Sequence, residues 1–189
     1  MPNNFSFAEQ LDISHGCHDA ITAILKEQIP GVVAVHPARK CNDRRGTDFW
    51  CEMMSGNHLS VDVKIRTADW SAKAEPERED DLALEIWSVM EKKIPGWTRD
   101  ESKRTDYVLW YWTDTQRWCL VPFAMLCQVF RTRWQSWSVE FRTATQRTGN
   151  YHSQCVFVPR DTVWAEIYHH CNSKIKRLEG EYEREATGI

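Results

Sequence analysis

The chain has 189 residues, a formal net charge of −3, 42% hydrophobic residues and ten tryptophans. This length predicts one domain with a sizeable core, and the aromatic content of 12% argues against a disordered chain. The slightly acidic balance excludes a uniformly basic nucleic-acid-binding protein. The sequence has no apolar run of about 18 residues and no basic-then-apolar start, so we expect neither a transmembrane helix nor a signal peptide.

The first half of the chain is predicted to contain a helical region followed by three strands. Apolar spacing predicts helix from about residue 7 to 29, either continuous or broken near Gly16, with a Pro-Gly pair at 30–31 ending it. The β-branched run at residues 32–35 predicts the first strand. Two further strands are predicted on either side of a turn at residues 55–57, and the polar residues 67–80 predict a loop.

The second half mixes clear and unclear signals. Residues 81–90 favour a helix, although part of this segment could be extended. Residues 105–112 give the strongest strand signal and are predicted to form a hairpin with residues 117–121. Helices are predicted at 123–130 and from Asp161, a suitable N-cap, to about 178, with a strand at 154–158 between them. Residues 131–153 show no clear pattern, and the charged tail after Glu179 is expected to fray.

This order of elements predicts an α/β fold with a mixed central sheet flanked by helices. The order is α, β, β, β, α, β, followed by additions at the carboxy terminus. We predict a single domain over residues 1–189, with a core at about 7–112 and an extension at 113–189. No internal repeat or linker indicates a second domain.

Cysteines and histidines suggest one possible metal site. Seven cysteines are scattered without a C-x-x-C pair, and several lie in apolar stretches, where cysteine acts as a small hydrophobic residue. We therefore expect free thiols in a reducing cytoplasm rather than disulfides. A zinc site including His169, His170 and Cys171 is an alternative, although their spacing lacks the usual ligand pattern.

Two acids and a lysine on neighbouring strands carry the strongest chemical signal. Asp48 lies on the second predicted strand, and Asp62 and Lys64 lie on the third. A tight turn between these strands would bring the two acids together, and period two places Lys64 on the same face as Asp62. Such an arrangement makes sense if a divalent cation binds the carboxylates and the lysine serves a phosphate or a water. The ordinary alternative is an exposed polar face of a half-buried strand.

This arrangement resembles the PD-(D/E)XK nuclease superfamily, in which an acid on one core strand is followed by a D/E-x-K element on the next. Asp62-Val63-Lys64 matches that element, whereas Thr47 stands before Asp48 where the family motif has proline. The order αβββαβ is also that of the family's restriction-endonuclease-like core. The resemblance implies that Asp48, Asp62 and the carbonyl of Val63 bind Mg²⁺ or Mn²⁺. It also implies that Lys64 orients the attacking water or stabilises charge on the scissile phosphate.

The resemblance also suggests further site residues. Family members often add an acid from the first helix, for which Glu9 is our first candidate, and Glu85 is a second candidate after the long loop. The ordinary alternative for both is a solvated helix acid. Four basic residues could contact a nucleic-acid backbone: Arg44, Arg45, Arg131 and Arg133. Trp134 and Trp137 lie beside the last two and are expected to be exposed, where they could stack on bases or bind protein.

The function implied by the resemblance is metal-dependent phosphodiester hydrolysis of DNA, or less favourably RNA, by a phage or bacterial accessory nuclease. Because cutting both strands normally needs two active sites, a homodimer is one arrangement to consider. Two alternatives stay open. The chain could be a catalytically silent nuclease-fold protein that regulates or inhibits a protein partner. The motif could also be a coincidence in an unrelated α/β enzyme.

Overall fold

The computed structural model describes residues 16–38, 46–75 and 78–187. Within them the chain is a mixed α/β structure with three helices, a five-stranded mixed sheet and a four-stranded antiparallel sheet. In chain order the elements are α1 (His18–Gln28), β1 (Val32–Pro37), β2 (Phe49–Met53), β3 (His58–Arg66), β4 (Asp81–Val89), β5 (Ile94–Pro95), β6 (Tyr107–Trp112), β7 (Trp118–Pro122), α2 (Phe123–Glu140), β8 (Thr143–Thr148), β9 (Tyr151–Pro159) and α3 (Arg160–Thr187).

Contacts divide the chain into two compact units, and each unit combines two separate segments. The first unit consists of Met1–Arg78 and Ser102–Phe123, and the second of Glu79–Glu101 and Ala124–Ile189. The chain therefore passes between the units three times, and no single cut in the sequence separates them. None of the helices among the described residues is both long and apolar enough to cross a membrane.

The first unit contains the five-stranded sheet, in the order β1-β2-β3-β6-β7. Strands β1, β2 and β3 form an antiparallel meander, and β6 and β7 form an antiparallel hairpin. Strands β3 and β6 are parallel, with Val63 opposite Leu109. Parallel neighbours need a crossover connection. Here part of that crossover, residues 79–101, belongs to the second unit.

One face of this sheet forms the core of the first unit with α1. Ile21 and Leu25 on α1 are fully buried and belong to one apolar cluster with Val61 and Leu109. Successive residues of a strand point to opposite faces of the sheet. Because Val61 of β3 faces the core, Asp62 belongs to the opposite face. The apolar alternation of β3 thus fixes which face carries the acid and the lysine.

A buried ion pair ties the loop after β3 to the β6–β7 hairpin. The carboxylate of Asp69 is 1% exposed and accepts hydrogen bonds from the guanidinium of Arg117 at 2.7 and 2.9 Å. It also accepts bonds from the hydroxyls of Ser71 and Thr115. Burial alone would raise the pKa of Asp69, but these bonds hold it well below its ordinary value. Residues 67–75 are thereby fixed to the first unit.

The second unit is built on the four-stranded sheet, in the order β5-β4-β9-β8. Leu82, Leu84 and Ile86 of β4 are fully buried or nearly so. The ring of Trp87 on β4 packs edge-on against Trp134 of α2. On α3, Val163 is also fully buried. Both helices and the sheet therefore contribute to the buried interior of this unit.

The structure confirms the mixed α/β class and the first three strands, and it corrects several local predictions. The helix favoured at residues 81–90 is wrong: these residues form β4, because their buried positions alternate with period two and pair with β9. The αβββαβ order therefore has a strand in place of its second helix. Helix α2 continues to Glu140, α3 continues to Thr187, and Asp161 lies in the first turn of α3 rather than at its N-cap.

Candidate functional site

Asp48 lies immediately before β2 rather than on it, and it is held by bonds to β3 and to the residue that follows β1. Its backbone N–H donates to the carbonyl of Val61 at 2.9 Å, and its carbonyl accepts from the N–H of Ala38 at 2.7 Å. Its carboxylate oxygen Oδ2 accepts a hydrogen bond from the N–H of Val63 at 2.7 Å. Both the backbone and the side chain of Asp48 are therefore fixed against β3.

Asp62 and Lys64 lie next to each other on the face of β3 that is turned away from α1. The Lys64 Nζ atom lies 2.8 Å from Oδ1 and 2.7 Å from Oδ2 of Asp62. Asp62 is 6% exposed, and the Lys64 side chain is 24% exposed. An ion pair this sheltered from water is screened less by solvent than a surface pair. The ammonium therefore helps to offset the charge of the buried carboxylate.

The two acids meet across the β2–β3 pair. Phe49 lies opposite Val61, and continuing this register by one residue places Asp48 opposite Asp62. Asp48 is half-buried there and Asp62 is buried. Burial, followed by the negative charge of Asp62, raises the pKa of Asp48 to about 7, although the N–H of Val63 lowers it in part. The hairpin predicted from the sequence thus does bring the two carboxylates together.

The described residues supply two carboxylates at this site. Their hard oxygen donors are those that Mg²⁺ and Mn²⁺ prefer, and a divalent cation would offset the repulsion between the two carboxylates. No group of three or more His, Cys, Asp or Glu side chains suited to a metal occurs among the described residues. Of the residues named for the zinc alternative, His170 bonds to Gln128, and Cys171 contacts Met125.

No family model, curated protein or solved structure matches the chain. Its function is therefore inferred from the geometry of Asp48, Asp62 and Lys64.

A serine and an aspartate that the sequence analysis did not single out fix the segment next to this site. Ser60, two residues before Asp62, donates from its backbone N–H to Oδ2 of Asp106 at 2.7 Å. Its hydroxyl donates to the same oxygen at 2.8 Å. These bonds hold the residues just before β6 against the start of β3. Ser60 and Asp106 are 46 residues apart in sequence, so no local pattern could reveal the pair.

Three other predicted site residues fall outside the described part of the chain, and one lies in the second unit. Glu9, Arg44 and Arg45 are outside the described residues. Glu85 lies on β4 of the second unit, where its Oε2 accepts a hydrogen bond from the N–H of Trp97 at 2.9 Å. The structure thus gives Glu85 a local role: its side chain stabilises the turn that follows β5.

The basic residues of α2 have partners inside the second unit. Arg131 forms an ion pair with Glu101 at 3.5 Å, and Arg133 forms one with Glu166 at 2.9 Å. Both arginine side chains remain more than 40% exposed. They can therefore still contact a ligand, but an anionic ligand would have to compete with these carboxylates.

The two tryptophans expected beside them on the surface pack into the second unit instead. Trp137 is 3% exposed and lies 6.0 Å from the ring of Phe130. The ring of Trp134 lies 4.1 Å from the guanidinium carbon of Arg99, which also lies 4.4 Å from the ring of Trp87. The prediction that Trp137 is exposed was wrong, because α2 continues to Glu140 and this longer helix buries the Trp137 ring. An exposed Arg–Trp surface is therefore not formed by these rings.

Proposed function

We propose that the chain hydrolyses phosphodiester bonds in nucleic acid, DNA in preference to RNA, through a PD-(D/E)XK-type site that uses a divalent cation. One observation carries this proposal: the register of β2 and β3 places Asp48 opposite Asp62, and the Lys64 ammonium lies 2.7 Å from the Asp62 carboxylate. Two neighbouring carboxylates, one buried and one half-buried, repel each other at neutral pH unless a cation or a proton offsets their charge. A site retained at such a disadvantage favours a binding role over a purely structural one.

The residues present fit Mg²⁺ or Mn²⁺. Asp48 and Asp62 would hold the cation, and the carbonyl of Val63 would complete the set expected from the resemblance. The N–H of Val63 already bonds to Asp48, so the backbone at this position lies beside the first acid. When bound, the cation would lower the pKa of a water and offset charge on the phosphate.

Lys64 and the acids would divide the remaining work. With the negative charge of Asp62 offset, the Lys64 ammonium can turn from the carboxylate to a phosphate oxygen or the attacking water. Lysine suits this role because its charge is compact and its side chain is flexible. A proton on Asp48, whose pKa is raised to about 7, would leave to solvent, since the cation favours the charged form of both acids.

The first unit also supports a relation to the restriction-endonuclease-like core. It supplies α1, the β1–β2–β3 meander and β6 parallel to β3, with both acids on the meander. Only the second helix of the expected αβββαβ order is replaced. The segment in its place, residues 79–101, belongs to the second unit. We propose that these elements correspond to that core and that the protein acts in the cytoplasm of a bacterium, on host or phage DNA. Cleavage of both strands normally needs two active sites, which a homodimer would supply.

Cleavage of a mixed substrate panel tests this function. The panel contains single-stranded, duplex and branched DNA, and RNA, each with Mg²⁺, Mn²⁺ or EDTA. We expect products that need the cation and that disappear in Asp62→Ala and in the isosteric Asp62→Asn. Asp161→Asn is the matched control, because that carboxylate is 90% exposed on α3. Products that persist in EDTA or in both Asp62 variants would refute the assignment.

A second candidate function is favoured by the state of Asp62. Both of its oxygens already lie within 2.8 Å of the Lys64 ammonium, so this pair can also serve as a satisfied structural ion pair. A protein that keeps the scaffold without catalysis would bind and regulate a protein partner. Absence of cleavage by a folded, cation-loaded protein would select this candidate over the nuclease.

A further inference from the structure

A second lysine lies beside the two carboxylates, and it comes from a distant part of the sequence. Lys103 precedes β6, 41 positions after Asp62. A Cβ atom built on Gly46 would lie 3.3 Å from Cδ of Lys103 and 3.8 Å from Oδ2 of Asp62. The Lys103 stem and the Asp62 carboxylate therefore lie within 4 Å of the same point. The Lys103 ammonium is only two bonds beyond Cδ, so it can reach the surroundings of Asp62.

The segment that carries Lys103 is anchored to β3. The hydroxyl oxygen of Ser60 lies 2.9 Å from the carbonyl oxygen of Arg104. Thr105 is 9% exposed, and its hydroxyl lies 3.3 Å from the Ser60 carbonyl and 3.0 Å from that of Tyr107. Because the residues that follow Lys103 are held in this way, the position of its backbone beside the site is fixed. Its side chain is half-buried.

Gly46 provides the space in which these two side chains meet. Its φ is +79°, a left-handed conformation that glycine adopts without strain. A side chain at this position would also press on the Lys103 stem at 3.3 Å. Glycine at this position therefore keeps Lys103 close to Asp62.

We propose that Lys103 is a substrate-binding residue that contacts a phosphate of nucleic acid at this site; the inference rests on the proposed function. Asp48, Asp62, Lys64 and Lys103 together carry two negative and two positive formal charges. Once a divalent cation offsets the negative charge of the two acids, the two ammonium groups give the site a net positive charge. That charge suits a phosphodiester anion. Lys64 serves the reacting phosphate, and Lys103 contacts the same phosphate or its neighbour.

The salt dependence of nucleic-acid binding tests this role directly. Each phosphate neutralised by a lysine contributes about 0.7 for single strands, or about 0.9 for duplex, to the slope of log Kobs against log salt concentration. We expect Lys103→Met to lower the slope by about that amount and to weaken binding about tenfold. Lys103→Arg should retain most of the slope. Binding is measured by fluorescence anisotropy of labelled single-stranded and duplex oligonucleotides with Ca²⁺, which also takes oxygen ligands, in place of Mg²⁺, and a gel checks that the oligonucleotides stay intact.

The control is Lys26→Met, because Lys26 is exposed on α1, on the other face of the sheet. Urea unfolding checks that each variant folds. Lys103→Gln replaces Lys103→Met if the latter does not fold. A third variant, Gly46→Ala, should weaken binding in the same way by displacing the Lys103 stem.

The outcomes separate this inference from the proposed function. Cleavage that depends on Asp62, with a KM raised in Lys103→Met and kcat little changed, supports both. Cleavage that depends on Asp62, with binding and salt slope unchanged in Lys103→Met, overturns the role of Lys103 alone. Absence of cleavage with binding that depends on Lys103 overturns the nuclease alone. A wild-type protein that does not bind nucleic acid overturns the role of Lys103, whatever the cleavage result.

Discussion

Replacing Asp48 by asparagine should make the protein more stable at pH 8 and less sensitive to pH. The pKa of this carboxyl is raised from 3.8 to about 7 by burial and by the charge of Asp62. The folded protein therefore binds a proton more tightly than the unfolded chain does. The resulting loss of stability begins as pH rises above about 4 and is complete once pH exceeds about 7. Asparagine keeps an oxygen for the N–H of Val63 but cannot ionise.

The size of the effect follows from the pKa. Because each pKa unit corresponds to about 1.4 kcal/mol, ionising Asp48 in the folded protein costs at most about 4 kcal/mol at pH 8. About 3 kcal/mol of this cost arises between pH 5 and pH 8. The free energy of unfolding of the wild type, relative to Asp48→Asn, should therefore fall by up to that amount over the same range.

Urea unfolding in EDTA at pH 5 and pH 8 measures this difference. Glu27→Gln, which removes an exposed carboxylate from α1 of the same unit, should follow the wild type at both pH values. If the difference between the wild type and Asp48→Asn is the same at pH 5 and pH 8, the two carboxylates do not repel each other in a buried site. The physical basis for the cation site would then be lost.

Three further expectations concern other parts of the fold. Asp69→Ala leaves Arg117 partly buried without its carboxylate and should lower the free energy of unfolding by about 3–5 kcal/mol. This loss, measured with urea, should shrink as pH falls below about 4, because the unfolded wild-type chain then binds a proton that the folded protein still excludes. Gly96→Ala should destabilise the protein by about 3 kcal/mol or more, since its Cβ would overlap the carbonyl group of Glu85. Mn²⁺ at about 100 times its Kd should stabilise the wild type by about 2.7 kcal/mol at pH 8, but not Asp62→Ala.

Each of these three expectations has a control variant or a result that would contradict it. Asp161→Asn, at an exposed position, should leave stability within about 0.5 kcal/mol of the wild type, as surface changes usually do. Gly16→Ala meets no atom within 4 Å, so it should be tolerated where Gly96→Ala is not. Equal thermal shifts with Mn²⁺ in the wild type and Asp62→Ala would place cation binding elsewhere in the chain.

The sequence predicted the candidate site better than it predicted the surrounding fold. Asp48, Asp62 and Lys64 were found because a short hairpin and a period of two are local properties, and these brought the three side chains together. Lys103 was missed because its position depends on the pairing of β3 with β6, whose partners are 46 residues apart. A parallel pairing over that distance leaves no pattern in a single sequence.

The errors in the second unit have a different physical cause. Residues 81–90 contain Leu82, Leu84 and Ile86, whose spacing fits one face of a strand, but the segment also has good helix-forming residues. Long-range pairing with β9 decides between the two, because local propensity is weak beside the burial of these side chains. Trp137 was expected at the surface because the length of α2 could not be read from residues 131–153.

The way in which the chain passes between its two units has a consequence for synthesis. Strand β4 leaves the ribosome about 70 residues before β9, the strand that pairs with it along most of its length. By the time that Phe123 has emerged, the first unit has all its segments, whereas β4 still has an unpaired edge and three apolar side chains to bury. Nascent chains of this intermediate length should therefore be the form most prone to aggregate. Truncation after Phe123 would make that exposed edge permanent, so the first unit is best isolated by replacing residues 79–101 with a short linker.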